Sequence, residues 1–379
     1  DNDARNYGRM TWNDSGTAIA VLKGLDVTGM RERENVLLVF PDIRSALGPQ
    51  AKVTPVKLDP AAAAGFPKGW VVSDRGTLTW SDDNKLVFLG IKEQVPAPDT
   101  AGVSQRANVD IWRTTDERVQ SLQMARASAD MNFTYSASFV VAGGKFVQLS
   151  DSTMKTLNLT PDGKWGIGQD NRAFVSDYER PRPDYYRVNP ATGERKLMMK
   201  DEPAPTFGTS PDSKFFLYWK DNQFQAYDLD AMTTKTLTKS VPVSFVNTEY
   251  DYPLPKPPYG VTGFTSDNKS VILQGKYDQW VVALDGTTPP RNLTSGVGTK
   301  NETRFGYIRT DSAPAGGGGR GGRGGGGGRV SIDLSKPVLF SAYGQWTKKA
   351  GFYELRDGQL KEIVYDDASY AVPTKAAKA

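Results

Sequence analysis

The chain has 379 residues, 38% of them apolar and 11% aromatic, enough for a buried core and too many for global disorder. It holds no cysteine and no histidine, which excludes disulfides, thiol catalysis, thiolate metal sites and any Ser-His-Asp triad built from this chain alone. Its 47 Lys and Arg against 43 Asp and Glu leave a net charge of +4, and Arg320, Arg323 and Arg329 of one glycine tract account for three of those charges. The remainder is electrically balanced, without the basic face of a nucleic-acid binder.

The first residues, "DNDARNYGRMTW", are polar and lack the apolar stretch of a signal peptide; the chain starts in mid-pattern, as a fragment or a processed product would. No run of about 18 apolar residues is present to span a membrane. From Met10 onward a cassette recurs. "MTWNDSGTAIAVLKG" at Met10 is a faint copy and "LTWSDDNKLVFLG" at Leu78 a clearer one. "LNLTPDGKWGIGQD" follows at Leu157, "FGTSPDSKFFLYWKDNQFQAYDLD" at Phe207 and "GFTSDNKSVILQGKYDQWVVALDG" at Gly263. Each reads as Ser or Thr, a turn on Asp with Gly, Asn or Ser, an apolar strand, a tight turn and a second strand. The turn chemistry has a cause: Asp bonds the backbone two residues on, and Gly or Asn accepts positive φ. In "QFQAYDLD", alternation places Phe224, Ala226 and Asp228 on one face and Gln225, Tyr227 and Leu229 on the other.

The turn aspartates at Asp14, Asp83, Asp162, Asp212 and Asp267 are 69, 79, 50 and 55 residues apart. A four-stranded propeller blade takes about 40–50 residues. The last two gaps fit one blade each. The gap after Asp83 is expected to hide a degenerate blade around "FTYSASFVVAGGKFVQLSD" from Phe133, and the gap after Asp14 holds a Pro- and Ala-rich connection from Val53. One more blade follows the glycine tract at Lys336, and "YAVPTKAAKA" reads as the start of another. "DERVQSLQMARASADM" from Asp116 is the one plausible helix, and reads equally as strand plus loop. The expected fold is all-β: one β-propeller domain over 1–379 with six to eight four-stranded blades, seven favoured, not required to be complete in this sequence. Even spacing of one cassette argues against a β-sandwich. The core is expected on Trp12, Trp80, Trp165, Trp219, Trp280 and Trp346.

The tract over 313–329 holds eleven glycines and three arginines between two strand-like segments. It cannot bury apolar area and reads as a flexible loop inserted within a blade, which costs little in closure entropy. Arginine–glycine RNA contact, the competing reading, calls for many repeats with interleaved aromatics.

Chemistry is sparse. "GVSQR", "GTSPD" and "FSAYG" fail the G-x-S-x-G elbow, and the S-x-x-K matches at Ser152 and Ser266 lack their partner motifs. No P-loop, dinucleotide fingerprint or EF-hand is present. Carboxylates remain, and a glycosidase would need two of them about 5–9.5 Å apart in a pocket. The pairs Asp82–Asp83, Asp177–Glu179 and Asp366–Asp367 are candidates, weighed against turn-making and solvated acids. "YDYPLPKPPYG" from Tyr250 reads as a rigid connection between blades, or else as a ligand-facing loop. No catalytic, cofactor-binding or metal residue is assigned, and no cofactor is expected.

Several strings are nevertheless specific. "NVDIWRTTDERVQ", "GGKFVQLSD", "DYYRVNPATGER" from Asp184 and "IDLSKPVLFSAYGQWTKKAGFYEL" from Ile332 resemble the β-propeller region of bacterial prolyl-oligopeptidase-family serine peptidases, related to dipeptidyl peptidase IV and acylaminoacyl peptidase. The resemblance runs from about Met10 to the end. It implies an exported, periplasmic or secreted protein whose propeller covers an α/β-hydrolase domain and filters peptide substrates by size. That catalytic domain is absent from these residues. "SDYERP" from Ser176 is not a convincing match to the paired glutamates that capture a peptide amine in dipeptidyl peptidases, so no site residue is carried over. The expected partners are the hydrolase domain and peptides, with no nucleic acid and no membrane span; a homo-oligomer is compatible with the sequence. A stand-alone binding propeller in an envelope assembly is the alternative.

Overall fold

Ser/Thr-x-Asp turns followed by apolar strands fold here into hairpins, and the hairpins into sheets. A computed structural model describes residues 3–44, 54–97, 109, 111–116, 118–172, 182–202, 205–310 and 330–373. It is nearly all β, with 26 strands and two helices among these residues. The strands form six sheets, each built on an antiparallel propeller-blade meander. The chain divides into two compact units, Asp1–Pro203 and Ala204–Ala379.

In the first unit, blade 1 consists of β1 (Asn6–Trp12), β2 (Ile19–Leu25), β3 (Glu34–Phe40) and β4 (Val56–Leu58). Blade 2 has a split first strand, β5 (Trp70–Ser73) and β6 (Thr79–Trp80), both pairing with β7 (Leu86–Glu93). Helix α1 (Gln120–Asn132) follows, then β8 (Tyr135–Val140) and β9 (Lys145–Gln148). Blade 3 is β10 (Thr156–Leu159), β11 (Gly166–Asp170), β12 (Asp184–Val188) and β13 (Arg195–Met199).

In the second unit, blade 4 is β14 (Thr206–Thr209), β15 (Phe215–Lys220), β16 (Gln223–Asp228) and β17 (Thr233–Thr236). Blade 5 is β18 (Gly260–Thr265), β19 (Ser270–Gln274), β20 (Gln279–Ala283) and β21 (Arg291–Asn292). After the short helix α2 (Val297–Asn301), blade 6 comprises β22 (Thr303–Ile308), β24 (Val338–Gly344), β25 (Ala350–Arg356) and β26 (Gln359–Asp366). Between them β23 (Ser331–Ile332) pairs in parallel with β18 and widens blade 5. The glycine tract at 313–329 lies outside the described residues. The strands on either side of it belong to two sheets, β22 to blade 6 and β23 to blade 5.

The repeated turn is wired identically in four blades. Ser81, Thr160, Ser210 and Thr265 each donate a hydroxyl to the aspartate two residues on, at 2.6–2.8 Å. Each hydroxyl also accepts the backbone N–H five residues on, at 2.9–3.0 Å. The aspartate accepts the N–H of a following lysine. The residue between them is left-handed: Asn84, Gly163, Ser213 and Asn268 have φ from 58° to 73°. In blade 1 Asn13 performs the hydroxyl's part, its Oδ1 accepting from Thr17 and Ala18 and its Nδ2 donating to Ser15. The blade 1 equivalent of Asp83 is therefore Ser15, not Asp14.

Two further expectations are corrected, and one left open is settled. The segment from Phe133 is not a separate blade: β8 pairs with β7 from Leu86 to Ile91, so it completes blade 2 across an insertion. That merger removes the favoured seventh unit and leaves six sheets among the described residues. The segment from Asp116 holds a helix, and α1 has no buried residue. The tryptophan core holds for two of six: Trp219 and Trp280 are buried, Trp80 and Trp165 half-buried, while Trp12 and Trp346 are 52% and 70% exposed. The apolar clusters explain this, because each sits between consecutive blades. One joins Leu22, Leu37 and Val39 to Val87, Leu89 and Phe139; another joins Leu217, Phe224 and Ala226 to Phe264, Val271 and Leu273. Trp12 and Trp346 lie in neither. Alternation in "QFQAYD" likewise marks two faces that are both buried, since Phe224 to Tyr227 are all inaccessible.

Candidate functional site

Stacked turns create a recess in the first unit. The turn of blade 2 meets the turn of blade 3 through the Asp82 N–H, which donates to the Asp162 carbonyl at 3.0 Å. Gly163 makes this approach possible, because a Cβ there would lie 2.8 Å from Phe88 Cε2. Between the turns is a cavity of about 500 Å³ lined by Asp82, Asp83, Lys85, Asp162, Trp165 and Asn189 among others. Behind Trp165, the Arg187 guanidinium stacks on the indole at 4.0 Å.

One sequence-predicted carboxylate pair, Asp82–Asp83, lines this recess. The two acids are pushed apart electrostatically. Burial, and then repulsion from Asp14, Asp162 and Asp83, raises the Asp82 carboxyl. Burial would raise Asp83 too, but bonds from Ser81 and Lys85 bring it below its ordinary value. Opposite shifts are what an acid–base pair needs. Asp83, however, is committed to the turn in the same way as Asp162, Asp212 and Asp267, and its Nζ partner Lys85 lies at 3.0 Å. Of the pair Asp366–Asp367, Asp366 ends β26 and accepts the Tyr370 hydroxyl at 2.7 Å. Asp177 and Glu179 lie outside the described residues. Ser152 and Ser266 sit in turns, the latter within the blade 5 cassette. Among the described residues no group of three or more potential ligands is placed to hold a metal ion.

A polar and aromatic cluster on the second unit was missed by sequence reasoning. The segment from Tyr250 lies between β17 and β18, as expected of an inter-blade connection, and Glu249 just before it reaches blade 6. Glu249 Oε1 accepts from Arg304 Nη2 at 2.5 Å, and Lys276 Nζ lies 3.8 Å from the same oxygen. Tyr277 donates to Gln345 Oε1 at 3.0 Å, and Arg304 reaches that oxygen at 3.3 Å. Bonding to the Tyr277 hydroxyl holds the Lys276 ammonium above its ordinary value, against the effect of burial. Glu249 comes from the β17–β18 connection, and its partners from the start of β22, the β19–β20 turn and the β24–β25 turn. Exposed rings follow two of them in the chain, Tyr252 at 66% after Glu249 and Trp346 at 70% after Gln345. The exposed Trp in "YGQWTKK" was the available sequence signal, and it had been assigned to the core. The cluster offers stacking surfaces and paired charges, with no nucleophile beside a base.

No protein-family model and no curated protein matches the chain. Among solved structures it is similar to TolB from Acinetobacter baumannii, at 11% identity over 74% of this chain and 53% of that one, with a TM-score of 0.26. It is similar to acylaminoacyl peptidase from Pyrococcus horikoshii, at 8% identity over 95% of this chain and 46% of that one, with a TM-score of 0.33. The β-propeller domain of the trilobed protease from Pyrococcus furiosus gives 10% identity, 96% and 99% coverage and a TM-score of 0.31. The likeness is one of fold. The chain spans under half of the acylaminoacyl peptidase and nearly all of the trilobed protease propeller. No helix of the described residues is long and apolar enough to cross a membrane.

Proposed function

We propose that this chain is the non-catalytic propeller part of a prolyl-oligopeptidase-like serine peptidase, gating peptide access to an α/β-hydrolase domain outside these residues. The observation that carries the reading is the placement of its two most specific strings. "DYYRVNPATGER" forms the β12–β13 hairpin of blade 3, and "SAYGQWTKKAGFYEL" the β24–β25 hairpin of blade 6. The resemblance thus falls on blade structure, while Asp83 of the pair in the recess is committed to its turn. Gating would admit extended peptides and exclude folded proteins, in the periplasm or outside the cell. The test is a fluorophosphonate probe applied to the protein purified from its source, with intact mass recorded. A labelled species heavier than this chain by a hydrolase domain is expected. An unlabelled species would overturn the peptidase reading. The Trp346–Arg304 cluster favours a second reading, a stand-alone protein-binding propeller, for that case.

A further inference from the structure

Within the first unit, blades 1 and 2 meet around one buried carboxylate. The β2–β3 connection runs antiparallel to the segment after β7. Met30 bridges to Pro96, the Arg31 N–H donates to the Val95 carbonyl and the Ala97 N–H to the Gly29 carbonyl, both at 2.9 Å. The Gln94 side chain then locks Glu32, accepting its backbone N–H at 3.0 Å and donating to its carbonyl at 2.8 Å. The Glu32 side chain is 2% exposed and faces cations: Arg75 Nε lies 3.0 Å from one carboxylate oxygen and Arg31 Nε 3.6 Å from the other. Lys92 of β7 is the third cation. Burial holds its ammonium below its ordinary value; Glu32 opposes this, and repulsion from Arg31 and Arg75 adds to it. Three cations thus share one carboxylate, and among the described residues neither arginine has a second acidic partner. The neighbouring Arg33 is matched twice, by Asp26 at 2.8 Å and Asp74 at 3.5 Å. Arg75 also donates to Asn132 Oδ1 at 2.7 Å and Lys92 to the Phe133 carbonyl at 3.1 Å, but these neutral acceptors leave the charge in excess.

We propose that Arg31, Arg75 and Lys92 form a binding site for a small oxyanion, a carboxylate or a phosphate group, set against the locked Glu32. A guanidinium carries five N–H donors and an ammonium three. Among the described residues the Arg31 side chain makes no hydrogen bond, Arg75 uses Nε and Nη1, and Lys92 makes one bond. The donors that remain come from three segments, the β2–β3 connection, the β5–β6 link and β7. Planar forks of this kind match two oxygens of a carboxylate or phosphate. Glu32 fixes one edge of Arg75 and keeps the group together despite its mutual repulsion; an arriving anion would neutralise the rest. The site belongs to blades 1 and 2 and stands whether or not a hydrolase domain is attached.

Thermal unfolding of the 379-residue chain at constant ionic strength tests it, with three probes: inorganic phosphate, an N-acetylated peptide with a free C-terminal carboxylate, and the same peptide as its amide. A ligand of the folded state raises Tm with concentration, which gives its affinity. Phosphate, the peptide acid or both should raise the Tm of the parent, and the amide should not. Arg31→Gln and Lys92→Met should each weaken that affinity by roughly tenfold, the loss of one charge-assisted hydrogen bond. Arg31→Gln removes no hydrogen bond within the described residues and so keeps the fold. Arg33→Gln, which removes an equal charge already matched by two aspartates, should leave the affinity nearly unchanged. A response to the acid assigns the site to a chain terminus, and a response to phosphate alone assigns it to a phosphate group; either upholds it. A parent Tm indifferent to all three probes overturns the proposal. Equal weakening by Arg31→Gln, Lys92→Met and Arg33→Gln also overturns it, since that pattern belongs to diffuse attraction by net charge. Fluorophosphonate labelling reads the peptidase reaction separately, so the two readings fail by different measurements.

Discussion

Replacing Gly163 by alanine tests the stacked-turn account of this fold. Gly163 occupies the left-handed position of its cassette, with φ +73°. Gly16 holds the equivalent position in blade 1, with φ +64°. Alanine in that conformation costs roughly 1–2 kcal/mol at either site. The surroundings differ. A Cβ at Gly16 would meet nothing within 4 Å, whereas at Gly163 it would lie 2.8 Å from Phe88 Cε2 and 3.1 Å from Ser81 Cβ. Phe88 is 5% exposed and packed among Leu149, Met154 and Val188, so it has little room to retreat. Overpacking of that kind adds about 1–3 kcal/mol. Gly163→Ala should therefore cost roughly 2–5 kcal/mol against 1–2 for Gly16→Ala. For a unit of this size each kcal/mol lowers Tm by about 2–4 °C. Thermal unfolding followed by circular dichroism reads the difference between the two variants, which cancels the shared backbone term. Equal losses would show that the blade 2 and blade 3 turns are not in contact, and the cavity between them would lose its basis.

Asp82→Asn should stabilise the chain at neutral pH, because it removes a charge opposed by burial and by three other carboxylates. The raised carboxyl makes the folded state bind that proton more tightly, so the gain over the parent should shrink as pH falls through the Asp82 pKa, and in high salt. A gain that grows on acidification would refute this assignment. Phe224→Ala should cost about 3–5 kcal/mol in urea unfolding. Phe224 is fully buried, with the Trp219 and Phe245 rings at 5.0 and 5.7 Å. A loss below 1 kcal/mol would mean that blades 4 and 5 are not packed through it.

The amino-acid order alone determined the class of fold and its repeating unit. Ser81, Thr160, Ser210 and Thr265, each with an aspartate two residues on and a strand after it, mark the turns because the bonds that close them are local. Spacing was a poorer guide wherever chain was inserted. The 41 residues between Glu93 and Tyr135 made one blade look like two, since nothing local states that β7 pairs with β8 across a helix. Asp82 and Asp83 were legible as a pair, but the raising of Asp82 depends on its burial and then on Asp14 and Asp162, which come from two other blades. The Glu249–Arg304–Gln345 cluster was illegible for the same reason, being drawn from three separate segments. Tryptophan burial failed most plainly. Hydrophobic type says that a ring gains by burial, but whether it is buried depends on which blade lies against it. Trp219 has blade 5 beside it, while Trp12 and Trp346 project where no described sheet covers them. Local bonding chemistry fixes turns and strands residue by residue; burial belongs to pairs of sheets, and only the tertiary structure decides those pairs.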